Sequence, residues 1–143
     1  MGNTKSVQKV NFEDIQFLLK NKKPILINTL DQTDQTCLIK GTISVIEEEQ
    51  VINTYMKKNM NVTIVIYDKN SNSEKLLQKY NQLLGLGFYN IYIYPGGLFE
   101  WLCLQDIYGF ENFPTTSKEL DILRYKAKSI FNSYLLRNDI DID

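Results

Sequence analysis

Histidine is absent from all 143 residues. That removes imidazole as a general base, the Ser-His-Asp and Cys-His nucleophile pairs, and every histidine-ligated metal site. Cysteine is nearly absent: Cys37 and Cys103 stand far apart in the chain and form no closely spaced ligand pair. One isolated pair, in a chain that opens with no secretory signal, fits a reducing, cytoplasmic setting in which both thiols are small apolar fillers. No apolar run approaches the ~20 residues that a membrane-spanning helix needs. Basic residues are not in excess either: Lys and Arg number 16 against 17 Asp and Glu, so nucleic acid is not an expected partner. Lys22-Lys23 and Lys57-Lys58 read as solvated helix ends.

What is present suits one globular domain, because the 43% apolar content is ordinary and the chain is long enough to bury a full core. The pattern centres on Thr63-Ile64-Val65-Ile66-Tyr67, a β-branched apolar run followed by the polar loop Asp68-Lys69-Asn70-Ser71-Asn72-Ser73. After the loop, Leu76, Leu77, Tyr80, Leu83 and Leu84 recur at helical spacing up to Gly85. Strand, tight loop and helix together aim loop amides and a helix N-terminus into one crevice, which is where α/β proteins place ligands. The residue leaving that strand is Asp68, already negative.

Either side, the same unit repeats. Asn11 and Asp14 open a helix with Phe12, Ile15, Leu18 and Leu19 on its buried stripe, and Pro24 ends that stretch before the short strand Ile25-Leu26-Ile27. Gly41 marks a turn. Glu47-Glu48-Glu49 sits at the start of the next helix, where the dipole favours negative charge, and Lys57-Lys58 at its end. Asn90–Tyr94 is a third strand, with Ile91 and Ile93 on one side and Tyr92 and Tyr94 on the other, broken by Pro95-Gly96-Gly97 before an apolar helix from Leu98. Thr116 or Ser117 is placed to cap a last helix carrying Leu120 and Leu123 and running on toward Phe131 and Leu135. Strand-then-helix units in succession predict a parallel sheet with right-handed crossovers and helices on both faces. At the start, Met1-Gly2-Asn3-Thr4-Lys5-Ser6 fits the pattern for myristoylation of Gly2, which by itself gives only weak, reversible membrane association.

The segment Ile91-Tyr92-Ile93-Tyr94-Pro95-Gly96-Gly97-Leu98-Phe99-Glu100-Trp101 resembles the strand, Gly-Gly turn, helix and tryptophan of the rhodanese-like domains, the fold of the sulfurtransferases and of the cell-cycle dual-specificity phosphatases. Leu84-Gly85-Leu86-Gly87-Phe88, Ile25-Leu26-Ile27-Asn28 and Ile39-Lys40-Gly41-Thr42-Ile43 are similar to the family's other motifs, in the family's order. The resemblance implies a single three-layer α/β domain with a central parallel sheet over residues 7–125. Residues 1–6 would then be a flexible start, and residues 126–143 a helical extension ending in a frayed acidic tail. It also gives Gly41, Gly96, Gly97 and Trp101 structural roles, since the Gly-Gly turn must bring backbone close to the active loop.

Where the family's active members carry the persulfide cysteine, this chain has Asp68. The family's arginine after the first strand would match Leu30, and its histidine before the Ile-x-Gly would match Leu38. A carboxylate cannot hold a sulfane sulfur. The resemblance therefore implies an inactive member that binds protein or acts as a scaffold, without metal or cofactor. The competing expectation is a sulfurtransferase- or phosphatase-like enzyme with altered chemistry in the Asp68–Ser73 loop. There Asp68 could act as a nucleophile or ligate Mg²⁺, yet the loop offers only Lys69 as a charged helper, and no second carboxylate stands nearby. The simplest reading is that the Asp68 carboxylate fills the amide cradle itself, with Ser71 and Ser73 as loop and cap hydroxyls.

Overall fold

The computed structural model describes residues 6–131. Gly2 and the acidic tail Asp139–Asp143 lie outside the described residues. Three parallel strands, β1 (Ile25–Asn28), β2 (Ile64–Tyr67) and β3 (Ile91–Ile93), pair in the order β1-β2-β3. Single parallel bridges extend both edges, Thr42 beside Leu26 and Lys9 beside Ile93. The helices α1 (Phe12–Asn21), α2 (Val45–Lys58), α3 (Glu74–Gly85) and α4 (Gly97–Tyr108) connect and cover them.

Strand residues alternate between two apolar clusters, which fixes the layers. Leu26, Val65 and Tyr67 pack with Ile15 of α1 and Leu98, Trp101 and Leu102 of α4. Ile25, Ile27, Ile64, Ile66, Ile91 and Ile93 pack with Ile52 of α2 and Leu76, Tyr80 and Leu83 of α3. All four residues of β1 and of β2 are buried, as expected where helices cover both faces of a parallel sheet. Trp101, with no exposed surface, stands edge-on to both Tyr94 and Phe113 and donates its indole N–H to the Pro114 carbonyl at 3.1 Å. Such ring pairs add about 0.5–1.5 kcal/mol beyond the area they bury.

Local signals start the helices where the sequence places them. Asn11 Oδ1 accepts from the Asp14 N–H, and Asp14 Oδ2 accepts from the Asn11 N–H, a reciprocal cap on α1. Helix α2 begins ahead of its glutamates, capped by Ser44, and so takes Glu47 and Glu48 into its first turn.

The start of the last expected helix is a correction. Thr116 and Ser117 do not cap one; both hydroxyls donate to the Thr36 carbonyl, and Thr115 bridges Ile39 in antiparallel fashion. Pairing with residues 36–39 competes with helix initiation and wins. Residues 118–121 are not helical and a 3-10 turn, Ile122–Tyr125, follows, leaving Leu120 94% and Leu123 63% exposed while Tyr125 enters the core; helical backbone returns at Ile130 and Phe131, the last described residues, and Leu135 lies outside them.

Candidate functional site: the loop after the central strand

Where β2 ends, its backbone is gripped by α4. The Asp68 carbonyl accepts from the Leu98 N–H at 3.0 Å, and the Lys69 carbonyl accepts from the Phe99 N–H at 2.8 Å. These are first-turn amides that have no partner within their own helix. So close an approach demands Gly97, which has φ +65°. A Cβ there would lie 2.4 Å from the Asp68 carbonyl oxygen and 3.0 Å from the Lys69 carbonyl carbon. At Gly96 a Cβ would meet only the Glu100 side chain, whose Oε1 accepts from the Tyr94 hydroxyl at 2.6 Å.

The Asp68 side chain is buried, 4% exposed, with both oxygens engaged. Oδ2 accepts from the Ser73 hydroxyl at 2.6 Å and the Thr29 hydroxyl at 2.7 Å; Oδ1 accepts from the Lys69 N–H at 2.6 Å. The cradle expected to be all amide is therefore two hydroxyls and one amide. The other loop groups turn elsewhere. Asn70, also buried, donates its side-chain amide to the Tyr125 carbonyl at 2.8 Å, and its Oδ1 accepts from the Asn72 N–H. Ser71 and Asn72 are exposed, and Lys69 is half-buried, its charge felt by the Asp31 carboxylate.

The neighbouring strand end is closed as well. Asn28 and Gln35 exchange side-chain hydrogen bonds at 2.7 and 3.1 Å, and Asn28 Oδ1 also accepts from the Leu30 N–H. Leu30 and Leu38 are both buried in the cluster that holds Tyr67, Trp101 and Tyr125. Apolar packing thus stands where the resemblance would put a cationic side chain and an imidazole.

The sequence pattern does not point to Thr29, Gln35 or Tyr125. Thr29 could have been found from strand register: Asn28 pairs with Tyr67, so the next residues, Thr29 and Asp68, emerge side by side. Tyr125 had no such signal, since 55 residues separate it from Asn70.

The two thiols lie outside the loop. Cys37 is buried with its thiol directed at the Ser117 carbonyl, and burial, only partly offset by hydrogen bonds, pushes its pKa up. Burial also raises that of Cys103, with Asp106 adding repulsion. Both cysteines are free thiols, disfavoured as thiolates. Among the described residues, no group of three or more Asp, Glu or Cys is arranged to hold a metal ion, and no helix is long and apolar enough to cross a membrane. Chemically, then, the loop presents a buried carboxylate saturated by hydrogen-bond donors.

Comparison with known proteins agrees with this architecture. The family profile of the rhodanese-like domain matches residues 12–103, from the start of α1 into α4. No curated protein sequence matches significantly. The crystal structure of the Alr3790 protein from Anabaena sp. superposes with a TM-score of 0.54 at 18% identity, covering 91% of this chain and 93% of that one. The BH2092 protein from Bacillus halodurans gives 0.52 at 16%, covering 83% and 90%. An As-Sb reductase from Leishmania major gives 0.52 at 20%, covering 72% and 79%. At such identities these likenesses speak for the fold alone. With the three-layer parallel architecture, the Gly97 turn and the profile match over most of its length, the chain belongs to the rhodanese-like domain family.

Proposed function

We propose that this domain has left sulfur transfer and works as a protein-binding or scaffold module. One observation carries the reading: the side chain at the loop position is Asp68, and all of its bonds run inward to Thr29, Ser73 and Lys69. A persulfide carrier needs a sulfur nucleophile open to two substrates in turn. Here the residue is a carboxylate, nearly without exposed surface, and the flanking positions are filled by Leu30 and Leu38. The two thiols of the chain are disfavoured as thiolates. A fold preserved while its catalytic groups are replaced by packing suits recognition, an analogy drawn from fold rather than from a mapped interface.

The test is sulfur transfer from thiosulfate to cyanide by the purified chain, alongside a variant lacking both Cys37 and Cys103. No turnover above the uncatalysed rate is expected from either. Turnover that survives loss of both cysteines would overturn the reading. For the binding arm, the chain should retain specific protein partners on co-purification from the cells that make it. Failure to retain any, from either the membrane or the soluble fraction, counts against a scaffold. Acylation of Gly2 would add a weak membrane tether, so a Gly2→Ala bait should lose membrane association without losing those partners.

A further inference from the structure

At the end of β1 remote from Thr29, three chain segments close around a cavity of about 470 Å³. The walls are tied to one another. Gln16 of α1 donates its side-chain amide to the Asn112 carbonyl at 2.8 Å, and the Lys40 N–H donates to the Pro114 carbonyl at 3.0 Å. Gly41, at φ +93°, turns the chain beside Leu19, whose Cδ2 would lie 3.6 Å from a Cβ there. The cavity is therefore a preformed part of the fold.

Its lining is chemically lopsided. Lys20, Lys23 and Lys40 border it against a single carboxylate, Glu111, in a chain whose net charge is −1. None of the three ammonium groups forms an ion pair with a described residue, whereas Lys75, Lys79 and Arg124 each do. The α1 dipole accounts for Lys20, in the last turn of that helix, but not for Lys23 or Lys40. Half-buried Leu19, Pro24 and Pro114 supply an apolar floor. A volume in the small-ligand range, apolar surface and a few charged side chains at the border are what small-molecule sites are built from.

We infer that this cavity binds a small amphipathic anion, a carboxylate or phosphate group on a short apolar body. The head group takes charge-assisted hydrogen bonds from the three lysines, and the apolar part covers Leu19, Pro24 and Pro114. The site lies away from the Asp68 loop, so it stands whether or not the domain has lost sulfur transfer.

The experiment is an amide NMR titration of the full chain with octanoate and with octyl phosphate, using octanol and octyltrimethylammonium as neutral and cationic controls. Either anion should shift Lys40, Gly41, Glu111 and Asn112 saturably, and the difference between the two identifies the preferred head group. The exposed triple variant K20Q/K23Q/K40Q should lose about tenfold or more in affinity, while K20R/K23R/K40R retains binding. Binding of octanol or the cation as strong as that of the anions, shifts confined to other parts of the molecule, or no saturable shift at all would overturn the inference. So would a triple glutamine variant that binds undiminished.

Discussion

Ser73 gives its hydroxyl proton to Asp68, 2.6 Å away, and in doing so leaves the N-terminus of α3 without a side-chain cap. A serine in the N-cap position ordinarily accepts from an amide of the first turn. Here it serves the loop instead, which makes Asp68 the point where the helix start and the strand end are joined.

That relationship is measurable. Ser73→Ala should destabilise the chain by about 1.5–3 kcal/mol in urea unfolding, the range for a hydrogen bond to a charged group. Almost none of the loss belongs to capping, so it should shrink in an Asp68→Ala background, with a coupling of at least ~0.5 kcal/mol across the double-mutant cycle. Strictly additive losses would mean that the bond contributes nothing and that Ser73 acts only through the helix.

Two glycines should respond to alanine with opposite signs. Gly97→Ala places a methyl group 2.4 Å from the Asp68 carbonyl oxygen at a positive φ, so a loss above ~2 kcal/mol is expected, or failure to fold. Gly85→Ala, at the end of α3 with open space around the new methyl, should gain about 0.4–1 kcal/mol. Equal effects at the two positions would sink the view that only Gly97 is held by backbone contact.

Much of the fold was legible because it is written in local patterns. Ile91 and Ile93 alternate with Tyr92 and Tyr94 as the sheet requires, the Asn11–Asp14 cap is a three-residue signal, and the Pro95-Gly96-Gly97 break precedes the α4 helix where it should. The stretch from Thr116 to Leu123 is not legible because Leu120 and Leu123 keep helical spacing while the deciding contacts are distant. Thr116 and Ser117 reach Thr36, 80 and 81 residues away, and no window on the sequence contains both ends. The site divides the same way. Asp68 is visible at the end of its strand, but one partner of its carboxylate, Thr29, comes from the residue after β1, and Tyr125, bonded to Asn70, comes from a third segment.

Alkali should unfold the protein through its buried phenols. Burial raises the pKa of Tyr67, whose hydroxyl accepts from the Ile39 N–H and shares a proton with Thr42, and that of Tyr94, which donates to Glu100. Below the unfolded-state value of about 10 both states hold the proton, and the full stability is present. Above it the unfolded chain releases protons that the native state keeps, so stability falls as pH rises. Tyr94→Phe should flatten the slope of unfolding free energy against pH between about 10 and 11, whatever it does to stability at neutral pH. An unchanged slope in both Tyr94→Phe and Tyr67→Phe would assign alkaline unfolding to other groups.

Asp68→Cys, made in a chain that lacks Cys37 and Cys103, restores the sulfur nucleophile of the family's active members and nothing else. The N-terminus of α3 would favour its thiolate, but the position is 4% exposed, and burial opposes both ionisation and access. Access should decide the outcome. Iodoacetamide should modify the folded variant more slowly than the same variant in urea, and thiosulfate should give no turnover, because Leu30 and Leu38 fill the space a charged substrate would need. Rapid alkylation of the folded variant together with sulfur transfer to cyanide would show that one residue separates this domain from catalysis, and that the apolar packing around the loop is no barrier.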